Sequence, residues 1–269
     1  VAQLAHTLEG EAHMSELLFQ TEGVTKRYGG LTAVSNVSIR LDAGELIGVI
    51  GPNGAGKTTL FNLITGADTV SEGRVVFDGQ DVTELRDYDR AKLGIARTFQ
   101  NIRLWPDMSA LDNVRTVFQG PRGNGGLGAI LRTPGFRRSE KAILDRSREL
   151  LARMGLADAE DARSVDLPYG DQRKLEICRA LALEPRMLLL DEPAAGMNPS
   201  EKTELMHTVD QLRDEFSLTI LLIDHDMKFV MGICERIYVI DHGEEIAQGT
   251  PDEVRSNPRV IEAYLGGQA

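Results

Sequence analysis

The stretch Gly51-Pro52-Asn53-Gly54-Ala55-Gly56-Lys57-Thr58-Thr59 follows an apolar run, Leu46 to Ile50, that reads as a buried strand. It precedes Leu60 to Ile64, which reads as the first turns of a helix closed by Gly66. Strand, glycine-rich loop, Lys-Thr and helix together form the context of a phosphate-binding loop. Gly51, Gly54 and Gly56 let the backbone approach a ligand closely, so that successive N–H groups converge on a phosphate at the positive end of a helix. Lys57 supplies a mobile cation for the outer phosphates. The Thr58 hydroxyl suits Mg²⁺, a hard ion that takes oxygen ligands.

Working outward, Leu17 to Arg27 and Val34 to Leu41 alternate as an antiparallel pair of strands, the second with Val37, Ile39 and Leu41 inward. Gly73 to Gly79 reads as a strand ending in an Asp-Gly turn, Tyr88 to Leu93 as a short helix, and Ile95 to Gln100 as a strand. Ser109 caps a helix carrying Leu111, Val114, Val117 and Phe118. Gly120 to Gly135 reads as a loop and Phe136 to Met154 as a long helix. A loop over Leu167 to Gln172 then leads into a helix over Gln172 to Leu183. Met187 to Leu190, Leu218 to Ile223 and Arg236 to Ile240 read as buried strands, with Asn198-Pro199-x-Glu201 capping the helix after the first. This alternation predicts an α/β fold: a mainly parallel sheet with helices on both faces, an N-terminal antiparallel β subdomain, and a helical subdomain inserted at about residues 101–180.

A chain of 269 residues with 42% hydrophobic content can bury a sizeable core. The net charge of −11 argues against a DNA-tracking surface. Cys178 and Cys234 fall in apolar segments and read as buried free thiols. No apolar run is long enough to span a bilayer and no secretory signal is visible, so a soluble protein is expected, with any membrane role exercised through a partner. Residues 1–14 are set aside as an extension or tag remnant, and the domain is expected over 15–269.

Asp191 and Glu192 stand at the carboxyl end of a buried strand, the edge where ligands sit in a wound α/β sheet. Asp191 can hold a Mg²⁺ shell, and Glu192 can orient or deprotonate a water in line with a γ-phosphate. His225 ends another such strand and can donate to that phosphate or to the water. Gln100, at a strand exit, and Tyr28, before Gly29-Gly30, are ambiguous alone, although an aromatic at 28 could stack on a base. His6, His13, His207 and His242 read as surface residues.

The order of GPNGAGKTT, TFQ, LPYGDQ, MLLLDEP, an Asn-Pro turn and LLIDHD resembles the nucleotide-binding subunits of ABC transporters from about Ser15 to Gly267. The resemblance implies a P-loop NTPase (RecA-like) fold and an ATPase using ATP and Mg²⁺. It places Tyr28 on the adenine and counts Val34 among the cofactor-binding residues. Gly51, Asn53, Gly54, Ala55, Gly56, Lys57, Thr58 and Thr59 form the Walker A loop. Gln100, Thr58 and Asp191 see the metal. Glu192, His225 and Lys57 act in hydrolysis, and Tyr169 and Gly170 face the nucleotide of an opposite subunit. One departure is plain: where the common signature is Leu-Ser-Gly-Gly-Gln, this chain has Leu167-Pro168-Tyr169-Gly170-Asp171. Pro168 offers neither hydroxyl nor N–H, so that contact must rest on neighbouring N–H groups and the helix terminus that follows.

That Tyr-Gly signature, Arg97 to Leu104, Pro193 to Pro199 and the end Asn257-Pro258 to Gly266 resemble the branched-chain amino-acid importers. The resemblance implies two transmembrane permease subunits, a second ATPase subunit, identical or homologous, and an extracytoplasmic solute-binding protein. It implies a peripheral position on the cytoplasmic face of the inner membrane and no nucleic-acid partner. Another cargo, such as urea or an exported lipid, stays open because cargo never touches this chain. A soluble ABC ATPase acting on nucleic acid is opposed by the acidic balance. A P-loop kinase is opposed by the second acidic strand end and the signature loop.

Overall fold

A computed structural model describes residues 16–118 and 134–266. The expected extension at 1–14, His6, His13 and most of the loop read at 120–135 lie outside the described residues.

The parallel sheet is built from β4 (Leu46–Ile50), β7 (Ile95–Arg97), β8 (Met187–Asp191), β9 (Thr219–Ile223) and β10 (Arg236–Asp241). Their order is β10-β4-β9-β8-β7, and the antiparallel β11 (Glu244–Gly249) closes the β10 edge. Every residue of β4, β8 and β9 is buried, as apolar runs without alternation require of central parallel strands. Alternate residues of these strands sort into two cores. Ile47, Val49, Leu189 and Leu221 face α1 (Lys57–Thr65) and a second sheet. Leu46, Ile50, Leu190 and Leu222 face the helices of the opposite side.

The second sheet is antiparallel: β1 (Leu17–Tyr28) pairs with β2 (Leu31–Val37), β3 (Arg40–Asp42) and β5 (Glu72–Phe77), and β5 with β6 (Gln80–Asp81). Val37, Ile39 and Leu41 are fully buried, as the alternation predicted. The opposite core runs from the sheet into α3 (Ala110–Phe118), α4 (Pro134–Arg153), α5 (Tyr169–Leu181), α6 (Pro199–Phe216) and α7 (Met227–Ile233). The short α8 (Pro251–Ser256) and α9 (Pro258–Gly266) complete the described chain.

Local chemistry fixes several boundaries. Asn198 Oδ1 accepts from the N–H groups of Ser200 (2.9 Å) and Glu201 (3.0 Å), while Glu201 returns a bond to the Asn198 N–H at 2.8 Å, the expected capping box. Helix α2 (Asp87–Leu93) carries Arg90, whose buried guanidinium donates to the carbonyls of Leu63 (2.6 Å), Ile64 (2.7 Å), Thr83 (2.8 Å) and Leu85 (3.0 Å). It thereby caps the carboxyl end of α1, and burial pushes its pKa down to about 10.

Two expected elements differ. The strand read over Ile95 to Gln100 stops at Arg97, because α5 draws the chain away from the sheet: Arg173 donates to the carbonyls of Phe99 (2.7 Å) and Gln100. Helix α5 begins at Tyr169, three residues before the reading and where a loop was expected, with Pro168 as its N-cap. Gly170 costs little in a first turn whose N–H groups are free in any case, and Asp171 there suits the positive end of the helix.

Candidate functional site

Four parallel strands release their chains at one edge of the sheet: β4 into the loop 51–56, β7 toward Gln100, β8 into Asp191 and Glu192, and β9 into Asp224 and His225. Parallel packing in register is what brings segments so distant in sequence to one place.

The loop after β4 is rigidly seated. A Cβ on Gly51 would overlap the Ile240 carbonyl oxygen, and one on Gly56 the Ala33 carbonyl oxygen, so neither site admits a side chain. Gly56 is the left-handed N-cap of α1, at φ 100°. The Gly243 N–H donates to Ala55 O at 2.9 Å and ties the loop to the β10–β11 turn. Gly51 and Ala55 are buried, whereas Asn53 and Gly54 are exposed at the tip. Lys57, Thr58 and Thr59 open α1, so their N–H groups have no carbonyl four residues earlier within the helix. Lys57 Nζ folds back to donate to Gly51 O (2.7 Å) and Pro52 O (2.8 Å). Burial pushes its pKa below the ordinary lysine value, and the Glu192 carboxylate acts the other way. Such an ammonium is held by two carbonyls that a phosphate would outbid as a partner.

Asp191 is 3% exposed, and its carboxylate lies 3.3 Å from the Arg97 guanidinium. Burial pushes its pKa above the usual range, with Arg97 opposing. Glu192 adopts a left-handed conformation at φ 47°, an uncommon geometry for a residue with a side chain. Gln100 Nε2 donates to Glu192 Oε2 at 3.2 Å, and His225 Nδ1 lies 3.6 Å from the same oxygen. Two predicted residues therefore converge on the carboxylate oxygen of a third. Asp224, 1% exposed, holds the two loops together by accepting from the N–H groups of Ala194 (3.2 Å) and Asp226 (2.9 Å).

Tyr28 is 47% exposed, its hydroxyl bonded to Asp68 and its ring 5.0 Å from Lys26 Nζ. The Asp68 carboxylate holds the phenol above its ordinary pKa range, with the Thr59 hydroxyl opposing. Val34, expected among the cofactor-binding residues, is fully buried in the core behind the loop. Tyr169 and Gly170 belong to another face. The Tyr169 ring packs on Gly196, and Gly170 neighbours Met197 and Glu201. His207 and His242 are exposed, as expected.

Arg97, Asp224 and the buried Arg173–Glu176 pair were missed by the sequence reading. Glu176 accepts from the Phe99 N–H at 3.2 Å and Arg173 holds the adjoining carbonyls, so together they fix the segment carrying Gln100. Their only trace in the sequence is a charged residue inside a helix otherwise apolar on that face.

Among the described residues no cluster of three or more His, Cys, Asp or Glu could hold a metal. Thr58 opens α1 at the loop, and Asp191 ends and Gln100 follows neighbouring strands of the same sheet edge, so a hydroxyl, a carboxylate and an amide oxygen are the candidate donors for a hard ion. So small an all-oxygen set fits an ion that keeps waters and takes phosphate oxygens as further ligands.

A family model described as ABC transporter matches residues 34–195, more than half of the chain. This chain belongs to the ABC transporter ATPases. A second model, described as branched-chain amino acid ATP-binding cassette transporter, matches residues 244–269 of the cassette. The cassette is 45% identical, over 94% of its length and 99% of the relative's, to the high-affinity branched-chain amino acid transport ATP-binding protein LivG of Salmonella typhimurium. It is 42% identical over the same shares to BraF of Pseudomonas aeruginosa, which carries the same description. The crystal structure of the ADP conformation of MJ1267, an ATP-binding cassette of an ABC transporter, superposes with a TM-score of 0.82 at 31% identity, covering 94% of this chain and all of that one. The cassette is thus a nucleotide-binding ABC ATPase.

Proposed function

We propose that this ATPase powers uptake of branched-chain or closely related amino acids. On this reading ATP lies with its base on Tyr28 and its phosphates on the N–H groups at the start of α1. Lys57 exchanges its two carbonyl partners for the outer phosphates. Thr58, Asp191 and Gln100 would hold Mg²⁺, which supplies charge neutralisation on the phosphates. The convergence of Gln100 and His225 on the Glu192 carboxylate carries the hydrolytic assignment. Glu192 orients the attacking water and takes its proton, with His225 positioned to steady the water or the γ-phosphate.

A second cassette would close on the first, bringing its own Tyr169–Gly170 helix start over this nucleotide. Dimeric cassette structures of MJ0796, 27% identical with a TM-score of 0.74, support that arrangement. Two membrane-spanning permease subunits would dock on the cleft lined by Phe99, Arg103, Leu104, Trp105 and Leu183, where Trp105 is 52% exposed. An extracytoplasmic solute-binding protein would deliver the cargo, and the cassette would sit on the cytoplasmic face of the membrane. No helix among the described residues is long and apolar enough to cross a membrane, which suits a peripheral subunit.

The second reading is lipid export: the cassette is 34% identical to the lipopolysaccharide export system ATP-binding protein LptB of Escherichia coli, over 91% of its length. Reconstitution with the permeases that copurify from membranes separates the two by whether leucine or lipid moves. The hydrolytic assignment is tested by Glu192→Gln, which should retain ATP, persist as a dimer in light scattering, and lose at least about 100-fold in turnover. Undiminished turnover would reject the role of Glu192.

A further inference from the structure

Arg97 is a nearly buried cation to which neither the sequence reading nor the proposed hydrolysis gives a role. Its guanidinium meets three elements at once. Nη2 faces Asp191 Oδ2 at 3.3 Å, at the end of β8. Nη1 donates to Asn62 Oδ1 (3.0 Å) and Thr65 Oγ1 (3.1 Å), both on α1. Nε donates to Thr98 O at 3.3 Å, and the Phe99 ring covers the group at 4.8 Å. Thr58, Asn62 and Thr65 stand at i, i+4 and i+7, so they share one face of α1. The same face thus carries the Thr58 hydroxyl at its start and the two anchors of Arg97 further along.

We propose that Arg97 is a positioning residue that sets the Asp191 carboxylate at a fixed distance from Thr58, so that the two oxygen donors are arranged for a divalent ion before it arrives. The inference rests on the reading of Thr58 and Asp191 as metal-shell residues. A planar fork with several donors in fixed directions can hold Asn62, Thr65 and Asp191 together, whereas a lysine in its place would reach one or two of them. The Thr98 hydroxyl, which accepts from the Asp191 N–H at 3.1 Å, fixes the backbone of the same residue. A purely structural ion pair would hold β7, β8 and α1 together but would have no bearing on metal affinity as such.

The test titrates Mn²⁺ into the ADP complex of the full chain, with the bound ion read by electron paramagnetic resonance. ADP affinity in EDTA is measured in parallel by calorimetry. Arg97→Met should weaken Mn²⁺ about 10–100-fold, the usual effect of removing a partner that orients a metal ligand, while ADP affinity in EDTA holds within about twofold. Arg97→Lys should fall between. Unchanged Mn²⁺ affinity would overturn the inference, as would an equal loss of ADP affinity in EDTA, which would mark a general collapse of the site. Should Arg97→Met not fold, Asn62→Leu removes one anchor and should shift Mn²⁺ affinity in the same direction; no shift there overturns it equally. Failure of the wild-type chain to bind ADP in EDTA would instead remove the nucleotide site itself, and the inference with it.

Discussion

Replacing Gly56 by alanine should unseat the phosphate loop. At φ 100° a side chain costs about 1–2 kcal/mol in backbone energy alone. The new methyl would also overlap the Ala33 carbonyl oxygen and lie 3.4 Å from Gly243 Cα, where ordinary contact begins near 3.4 Å. Either the loop or its backing must retreat by roughly an ångström. The hydrogen bonds joining these segments, Gly243 N–H to Ala55 O (2.9 Å) and Ser35 N–H to Gly243 O (2.8 Å), are the ones placed under strain. Each contributes about 1 kcal/mol, so the expected loss is about 3–4 kcal/mol if both are lost. For a chain of this size that lowers the melting temperature by about 6–16 °C in calorimetry of the nucleotide-free protein. Gly54→Ala is the control. It also sits at positive φ, 80°, but its Cβ would meet open space, so it should lose only the torsional part, about 1–2 kcal/mol. If Gly56→Ala is no less stable than Gly54→Ala, the backbone cradle behind the loop is not what seats it.

Three further outcomes follow from the same structure. Arg90→Met leaves four carbonyls at the ends of α1 and its neighbours without their buried donor and should cost about 3 kcal/mol, read as a lower urea midpoint; no change would mean that water replaces the guanidinium. Tyr28→Ala should weaken ATP and GTP alike by about tenfold in calorimetry, because stacking is tolerant of the base, and Tyr28→Trp should restore it; a loss confined to ATP would contradict stacking. The Lys202 ammonium, 2.5 Å from Asp226, holds that carboxyl below the usual range. Since the folded pKa lies below the unfolded value, this contribution is whole above about pH 4–5 and is lost as pH falls through the depressed value. Asp226→Asn should therefore flatten the acid side of the stability–pH curve, and an unaltered slope there would refute the assignment.

The motifs and the central strands were legible because their signals are local. Leu46–Ile50, Met187–Asp191 and Thr219–Ile223 are apolar without alternation, and each ends in the polar residues that form the site. The capping box at Asn198 was legible for the same reason. What escaped depends on partners far along the chain. Arg90 and Arg97 look like surface cations in sequence, yet their partners lie up to 94 positions away. Val34 fitted a stranded pattern near the site, and only packing shows that it faces the core. Strand β11 was unread because it is a largely polar edge strand, Glu244-Glu245-Ile246-Ala247-Gln248-Gly249, whose pairing is set by the turn at His242-Gly243, both at positive φ. The early start of α5 was hidden by a Tyr-Gly-Asp sequence that reads as a turn until Pro168 is seen to cap it.

The most direct test is equilibrium dialysis of ATP against the intact chain with magnesium, beside Lys57→Ala. The account predicts saturable, magnesium-dependent uptake by the wild type and a loss of at least about tenfold in the variant. Equal uptake by both would show that the phosphates are gripped elsewhere than at the loop after β4.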